Sequence, residues 1–308
     1  MKGPLFYAKI LLFGEYGIIK DSKGLAIPYN AYRGALKTSE NLSGIALASN
    51  KNLERFYHYL ATLKTDLVVF NLVAFKEDVQ NGMYFDSSIP QGYGVGSSGA
   101  LVASIYDEYA ADKITVLENL TRDKLLNLKA VFAVMESFFH GKSSGLDPLN
   151  SYLSLPILIN SKDHVEPAGI PSQKEGKGAV FLLDSEQVGE TEPMVNIFMN
   201  KMKNEGFRKM ISEEFSTTTD ACIEDFLQGN VKSLFGNVKS LSKIVLANFK
   251  PMIPDAFHTV WEKGLSTNDY YLKLCGSGGG GYILGFTQDF EKAQKSLKEY
   301  KLELVYRF

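Results

Sequence analysis

A chain of 308 residues is longer than one small core requires and predicts about two domains of ~150 residues each. Its side chains are 45% hydrophobic and 22% charged, and 33 basic against 35 acidic groups leave a net charge of −2. That balance excludes wholesale disorder and the strongly basic face of a nucleic-acid binder.

Two cysteines, Cys222 and Cys275, and four scattered histidines, His58, His140, His164 and His258, suit neither a disulfide framework nor a zinc site. No run approaches the ~18 apolar residues of a membrane span. Lys2 followed by residues 4–8 superficially resembles a signal peptide, but Lys9 splits the apolar run and Glu15 closes it without a small-residue cleavage site. The expectation is a cytoplasmic protein with no membrane and no nucleic-acid partner.

In chain order, residues 6–13 read as a strand, followed by a turn over Lys20-Asp21-Ser22-Lys23-Gly24 and a strand at 25–29. Residues 50–64 and 76–81 are charged and helix-like, and the apolar run 67–75 between them fits helix or strand equally. An extended piece at 83–89 leads into Pro90 and a glycine- and serine-dense loop, 92–99. Leu101, Val102, Ile105, Tyr106 and Tyr109 then recur at helical spacing, with Ser97 or Ser98 as the expected N-cap.

A second helix is predicted over 122–139, its apolar face carrying Leu125, Leu128, Phe132, Met135 and Phe139, and Gly141 ends it. Glu136 on that helix reads locally as a solvent-facing residue. Asp147 and Pro148 read as an N-cap and first-turn pair for a helix through Asn150 to Leu153.

The polar stretch Lys174-Glu175-Gly176-Lys177-Gly178 places a domain boundary near 172, giving domains 1–172 and 173–308. Beyond it come a strand at 179–183, helices at about 191–212, 216–228, 230–246, 255–264 and 288–299, and strands at 271–274, 282–286 and 302–306. The mixture lacks a regular βαβ repeat and predicts an α+β fold.

Two glycine loops carry the chemistry. Gly94-Val95-Gly96-Ser97-Ser98-Gly99 formally matches the dinucleotide fingerprint, but Pro90 interrupts the approach and the chain stays helical past Asp112, so that context fails. A P-loop is also excluded, since Gly141-Lys142-Ser143 follows a helix instead of opening one. What remains is shared physics: closely spaced glycines and a helix N-terminus offer backbone N–H groups to an anion. Ser97 and Ser98 suit capping, phosphate binding or presenting a hydroxyl to Mg²⁺. The second loop, 275–281, has five glycines in six positions from Gly276. Such a bare backbone reads either as a tolerated long hairpin or as a surface for a ligand or for the first loop.

Three blocks, in order, resemble the GHMP small-molecule kinases. Residues 90–98, Pro-Gln-Gly-Tyr-Gly-Val-Gly-Ser-Ser, are similar to that family's central phosphate loop, and 273–281 to its C-terminal glycine-rich block. Residues 9–15, ending Phe13-Gly14-Glu15, resemble its N-terminal block in the mevalonate kinase form. The stretch from Glu136 through His140-Gly141 to Ser144-Gly145-Leu146-Asp147 is similar to the mevalonate kinase HGxPSGxD segment.

The resemblance implies two domains, an N-terminal one like ribosomal protein S5 domain 2 and a C-terminal ferredoxin-like one, with an active site in the cleft between them. It implies ATP and Mg²⁺ as cofactors and a small-molecule alcohol as acceptor, mevalonate first. Phosphomevalonate, and then homoserine or a sugar, are the alternatives, and a catalytically silent nucleotide-binding regulator is the alternative of another class. A monomer or homodimer fits.

By position, the resemblance makes Asp147 and Lys9 catalytic and Ser98 and Glu136 the metal ligands. Pro90, Gly92, Gly94, Val95, Gly96, Ser97, Ser98 and Gly99 would bind the nucleotide phosphates, and Glu15, Tyr16, Gly276, Ser277 and Gly278 the substrate. The departures are Tyr16 where His is common, Ser143 in place of Pro, Pro148 where Asn is frequent, and Gly99 inserted after the serine pair.

Overall fold

A computed structural model describes residues 4–308 apart from 21, 116–119 and 174. Lys2, in the stretch that only superficially resembles a signal peptide, Asp21 of the expected turn and Lys174 of the expected boundary segment lie outside the described residues. The chain forms two compact units, Met1–Lys9 with Pro28–Pro90 and Gly96–Leu155, and Ile10–Ile27 with Gln91–Val95 and Pro156–Phe308. One boundary at 172/173 was expected from the sequence. The chain changes unit five times, at residues 9/10, 27/28, 90/91, 95/96 and 155/156, the first two inside strands β1 (Phe6–Phe13) and β2 (Gly24–Thr38).

In the first unit the C-terminal half of β2 pairs antiparallel with β3 (Met83–Ser87), in register from Gly34↔Ser87 to Thr38↔Met83. Its helices are α1 (Gly44–Thr62), α2 (Leu72–Gln80), α3 (Ser97–Tyr109), α4 (Arg122–His140) and α5 (Leu146–Leu153). Leu53, Phe56 and Leu60 bury one stripe of α1, and Phe56 meets Phe138 and Phe139 of α4 at ring distances of 5.1 and 5.6 Å. Helix α3 is buried over every residue from Gly99 to Tyr106, as expected of a helix apolar on most sides, and packs on α4 and α5. The ambiguous run 67–75 divides: Asn71 accepts from the Ala74 amide and starts α2, while Phe70 bridges to Ala110.

Both helix starts that matter for the site differ from expectation. Gly96, with φ of 80°, is the N-cap of α3, and Ser97 is its first residue. Gly145, with φ of 73°, precedes α5, so Asp147 occupies the second helical position instead of the cap. A left-handed glycine turns the chain into each helix without a side-chain cap. The Ser98 hydroxyl and the Asp147 carboxylate are thereby left available for other partners.

In the second unit the N-terminal part of β2 pairs with β4 (Ile157–Ser161), which forms an antiparallel hairpin with β5 (His164–Pro167). These two short strands were not anticipated. A four-stranded antiparallel sheet, in the order β7-β8-β6-β9, combines β6 (Ala179–Asp184), β7 (Tyr271–Leu274), β8 (Tyr282–Thr287) and β9 (Leu302–Arg307). Helices α6 (Thr191–Lys201), α7 (Glu205–Met210), α8 (Ser216–Gln228), α9 (Val231–Asn248), α10 (His258–Thr267) and α11 (Phe290–Ser296) complete the unit. The single helix expected over 191–212 breaks where Asn204 caps α7 by accepting from the Phe207 amide. Helices α9 and α10 pack on the sheet, and β8 is buried throughout. Among the described residues no helix is long and apolar enough to cross a membrane.

Gly99 sets how closely α3 and α5 approach. A Cβ there would lie 2.7 Å from the Asp147 carbonyl carbon and 2.8 Å from the Pro148 nitrogen. Gly99→Ala is therefore expected to lower stability by about 1–3 kcal/mol through overpacking. Gly236→Ala, at an exposed position in α9 with nothing within 4 Å, should be neutral or stabilising by about 0.5–1 kcal/mol. Urea unfolding of the two variants beside the parent checks the contrast.

Candidate active site

The first unit gathers four of the residues singled out from the sequence. Lys9, at the end of β1's share of this unit, has its side chain 6% exposed, and its Nζ lies 2.8 Å from Asp147 Oδ1 on α5. An ammonium withdrawn from water needs such a partner. Ser98, on the first turn of α3, donates from Oγ to Glu136 Oε1 at 3.1 Å.

Glu136, expected from local sequence to face solvent, is instead 3% exposed. The apolar face of α4 is wider than its spacing suggested, so the glutamate is carried inside with Met135. Burial first, and the Asp147 charge second, push its carboxyl up to about 8, against the lowering effect of the Ser143 and Ser98 hydrogen bonds and of Lys9.

Two further residues join this cluster. Ser143 donates from Oγ to Glu136 Oε2 at 2.5 Å and accepts the Gly145 amide at 3.0 Å. His140 Nε2 lies 3.0 Å from Ser98 Oγ, and burial lowers the pKa of its ring below the usual histidine value. Their proximity to a glutamate four to seven residues away on the same helix and its following turn was the available sequence signal. Among the described residues no group of three or more His, Cys, Asp or Glu is arranged to hold a metal. The Ser98 and Glu136 oxygens instead form a two-donor set, which fits an oxygen-seeking ion that draws its other ligands from phosphate and water.

The second unit contains the other part of the first loop, 91–95, and the whole of the second. Gly94 has φ of 77°, and a Cβ there would stand 2.6 Å from the Cys275 carbonyl oxygen, so only glycine lets the two backbones meet. The Gly189 amide donates to Gly92 O at 2.9 Å, the Gly281 amide to Gln187 O at 2.5 Å, and the Tyr282 amide to Tyr93 O at 3.3 Å. Tyr93 and Tyr282 meet edge to face at 5.0 Å. The second loop closes the antiparallel pair of β7 and β8 as a long hairpin and also packs against the first loop, so both of its readings hold. Residues 187–189 are a third contributor that sequence inspection missed, with Gly189 as its only mark.

Glu15 and Tyr16, expected as substrate contacts, are 6% and 5% exposed. Glu15 Oε1 is 2.5 Å from Lys273 Nζ. The Tyr16 hydroxyl donates to Ser277 O at 2.6 Å, and burial raises its pKa far above the usual tyrosine range. Cys275 is likewise buried, at 1% exposure.

No protein-family model and no curated protein matches this sequence. Solved structures do match, over the whole chain. The L. major mevalonate kinase in complex with R-mevalonate is 16% identical with a TM-score of 0.65, covering 100% of this chain and 99% of that one. The Lactococcus lactis galactokinase complexed with galactose is 12% identical with a TM-score of 0.64, covering 98% and 92%. The Streptococcus pneumoniae phosphomevalonate kinase in complex with phosphomevalonate and AMPPNP is 14% identical with a TM-score of 0.63, covering 98% of both chains. The chain thus has the mixed α/β fold of the GHMP kinases. Mevalonate kinases stand among its structural neighbours.

A carboxyl whose pKa is raised on folding contributes stability that is present below its unfolded value and lost as pH rises through its folded value. For Glu136 that window runs from 4.5 to about 8. Across it the metal-free parent is expected to lose stability relative to Glu136→Gln, which has no proton to give up. Unfolding free energies of both proteins at half-unit pH intervals measure this difference.

Proposed function

We propose that the chain is an ATP- and Mg²⁺-dependent small-molecule kinase of the GHMP family that phosphorylates the hydroxyl of mevalonate. The observation that carries this reading is the first unit's cluster, in which Lys9 pairs with Asp147 at 2.8 Å while Ser98 donates to Glu136 at 3.1 Å. Phosphoryl transfer asks a protein for positioning and charge neutralisation more than for covalent work. One ammonium, one carboxylate beside it and a hydroxyl–carboxylate pair are the groups such a reaction uses.

In this reading Asp147 orients the acceptor hydroxyl and receives its proton. Lys9 offsets the negative charge that gathers between that oxygen and the γ-phosphorus. The amides from Gly94 to Ser98, at the start of α3, hold the nucleotide phosphates, with Pro90, Gly92 and Gly99 shaping the loop around them. A bound Mg²⁺ would supply positive charge against the nucleotide phosphates. Ser98 and Glu136 would hold it, since a buried carboxylate with raised proton affinity is one that a cation stabilises. Gly276, Ser277 and Gly278 offer backbone groups to the substrate.

The S5-like description of the N-terminal part and the ferredoxin-like description of the C-terminal part belong to the same reading. So does a cytoplasmic enzyme, active as a monomer or homodimer. Mevalonate is chosen as acceptor on Phe13-Gly14-Glu15 and on His140-Gly141 followed by Ser144-Gly145-Leu146-Asp147; the neighbours include a mevalonate-bound kinase beside a phosphomevalonate kinase and a galactokinase.

Coupled ADP release with mevalonate, phosphomevalonate and galactose tests the assignment. ADP formed with phosphomevalonate alone would move the acceptor, and nucleotide binding without turnover of any acceptor would make the chain a silent regulator. Asp147→Asn is expected to reduce kcat by at least about 10²-fold and to leave nucleotide affinity within about threefold, because its carboxylate meets the acceptor and not the nucleotide. Ser98→Ala should weaken Mg²⁺-dependent nucleotide binding by about tenfold, the loss of one oxygen ligand, as titration calorimetry with and without Mg²⁺ would read.

A further inference from the structure

The second glycine loop poses a physical problem that its own sequence does not solve. Gly276, Gly278, Gly279, Gly280 and Gly281 all have positive φ, and each loses more backbone freedom on ordering than any other residue. Cys275 and Ser277 carry its only side chains, so it can do little to anchor itself by packing. Its order has to be imposed by groups outside it.

The segment Gly14-Glu15-Tyr16 supplies two such groups. Gly14 has φ of 112° and Tyr16, a non-glycine residue, φ of 64°. A left-handed tyrosine costs about 1–2 kcal/mol and persists only where its surroundings hold it. Here the Tyr16 ring lies against Phe198 at 4.7 Å and Phe249 at 5.6 Å, and its hydroxyl donates to the carbonyl of Ser277 in the middle of the loop. One residue earlier, Glu15 pairs with Lys273, whose ammonium also donates to Leu274 O at 2.8 Å. Lys273 and Leu274 end β7 and lead directly into the loop. The strained segment therefore grips the loop at its start and again at its middle.

The surroundings of the Glu15 and Tyr16 side chains fit a structural role. Both are almost wholly buried. The cavity beside them, lined by Gly14, Thr219 and Lys273, is small, about 10 Å³, room for about one water.

We propose that Glu15 and Tyr16 are positioning residues, a two-point clamp that fixes the conformation of residues 275–281 through Lys273 and the Ser277 carbonyl. The ordering of the loop stands on geometry alone, whereas its effect on turnover rests on the kinase reading.

The test is amide hydrogen exchange of the full-length protein, read on the peptide 275–282 with β6 as internal reference. Tyr16→Phe keeps the ring packing and removes one hydrogen bond, so it should fold. The double variant Glu15→Leu/Lys273→Met removes the ion pair without leaving a lone buried charge, which is the destabilising outcome of either single change. In both variants exchange of 275–282 is expected to speed up about tenfold or more while β6 keeps its protection, the pattern of local opening. Loop protection equal to the parent in Tyr16→Phe would overturn the proposal, as would equal acceleration in the loop and in β6.

A kinetic arm separates this proposal from the reading it builds on. In a parent that turns over, Tyr16→Phe should raise a substrate KM by about tenfold with kcat within about threefold, the signature of a displaced binding surface. A parent without turnover would overturn the kinase reading and leave the exchange result to decide the clamp.

Discussion

The buried ammonium of Lys9 is the constraint around which the first unit is arranged. With its side chain 6% exposed, it requires a counter-charge at hydrogen-bond distance, because an unpaired charge out of water is among the costliest features a fold can hold. The partner, Asp147, comes from α5. It arrives only because Gly145 turns left-handed into that helix and Gly99 lets α5 sit against α3. Gly96 answers the same demand from the other side, since a Cβ there would fall 2.9 Å from the Lys9 side chain. Three glycines separated by up to 49 positions thus serve one ion pair. The Asp147 carboxylate stays 38% exposed, so only the lysine end of the pair is withdrawn from water.

The two glycine loops solve different problems with the same residue. In the first, glycine alternates with Tyr93, Val95 and Ser97, so each bare position is flanked by a side chain that packs or reacts. Val95 is fully buried and Tyr93 meets Tyr282. In the second, glycine runs nearly unbroken, and backbone hydrogen bonds to Gln187, Met252 and Tyr93 stand in for packing. A backbone that approaches another backbone this closely satisfies its N–H and C=O groups directly.

Most of this was legible wherever periodicity was strong. Helices α3, α4 and α8 and strands β7 and β8 fall within a residue or two of their expected bounds, because long amphipathic runs and glycine stops leave few alternatives. The four residues of the Lys9 cluster were legible through motif resemblance, not through local chemistry. Read locally, Glu136 pointed to solvent, since one polar residue on an apolar helix does not reveal what covers it. The helix caps were misassigned because serine and aspartate are good caps wherever glycine does not pre-empt them. The β4–β5 hairpin was too short for alternation to stand out, and a unit boundary that runs along the inside of two strands leaves no compositional mark.

Ser143 shows how a departure from a familiar pattern is compensated. Where the resembling family has proline, this chain has a hydroxyl that donates to Glu136 and accepts from Gly145. Both carboxylate oxygens are thereby engaged, Oε2 by Ser143 and Oε1 by Ser98. Ser98 has one proton and two neighbours able to take it, Glu136 and His140. Burial favours the neutral form of His140, so its ring nitrogen serves as donor or acceptor according to tautomer. If the carboxylate holds the proton's attention, the imidazole gives its own to the serine oxygen. The half-buried serine oxygen thus has a partner on each side, the Glu136 carboxyl and the His140 ring, and the histidine completes the hydrogen bonding of the cluster.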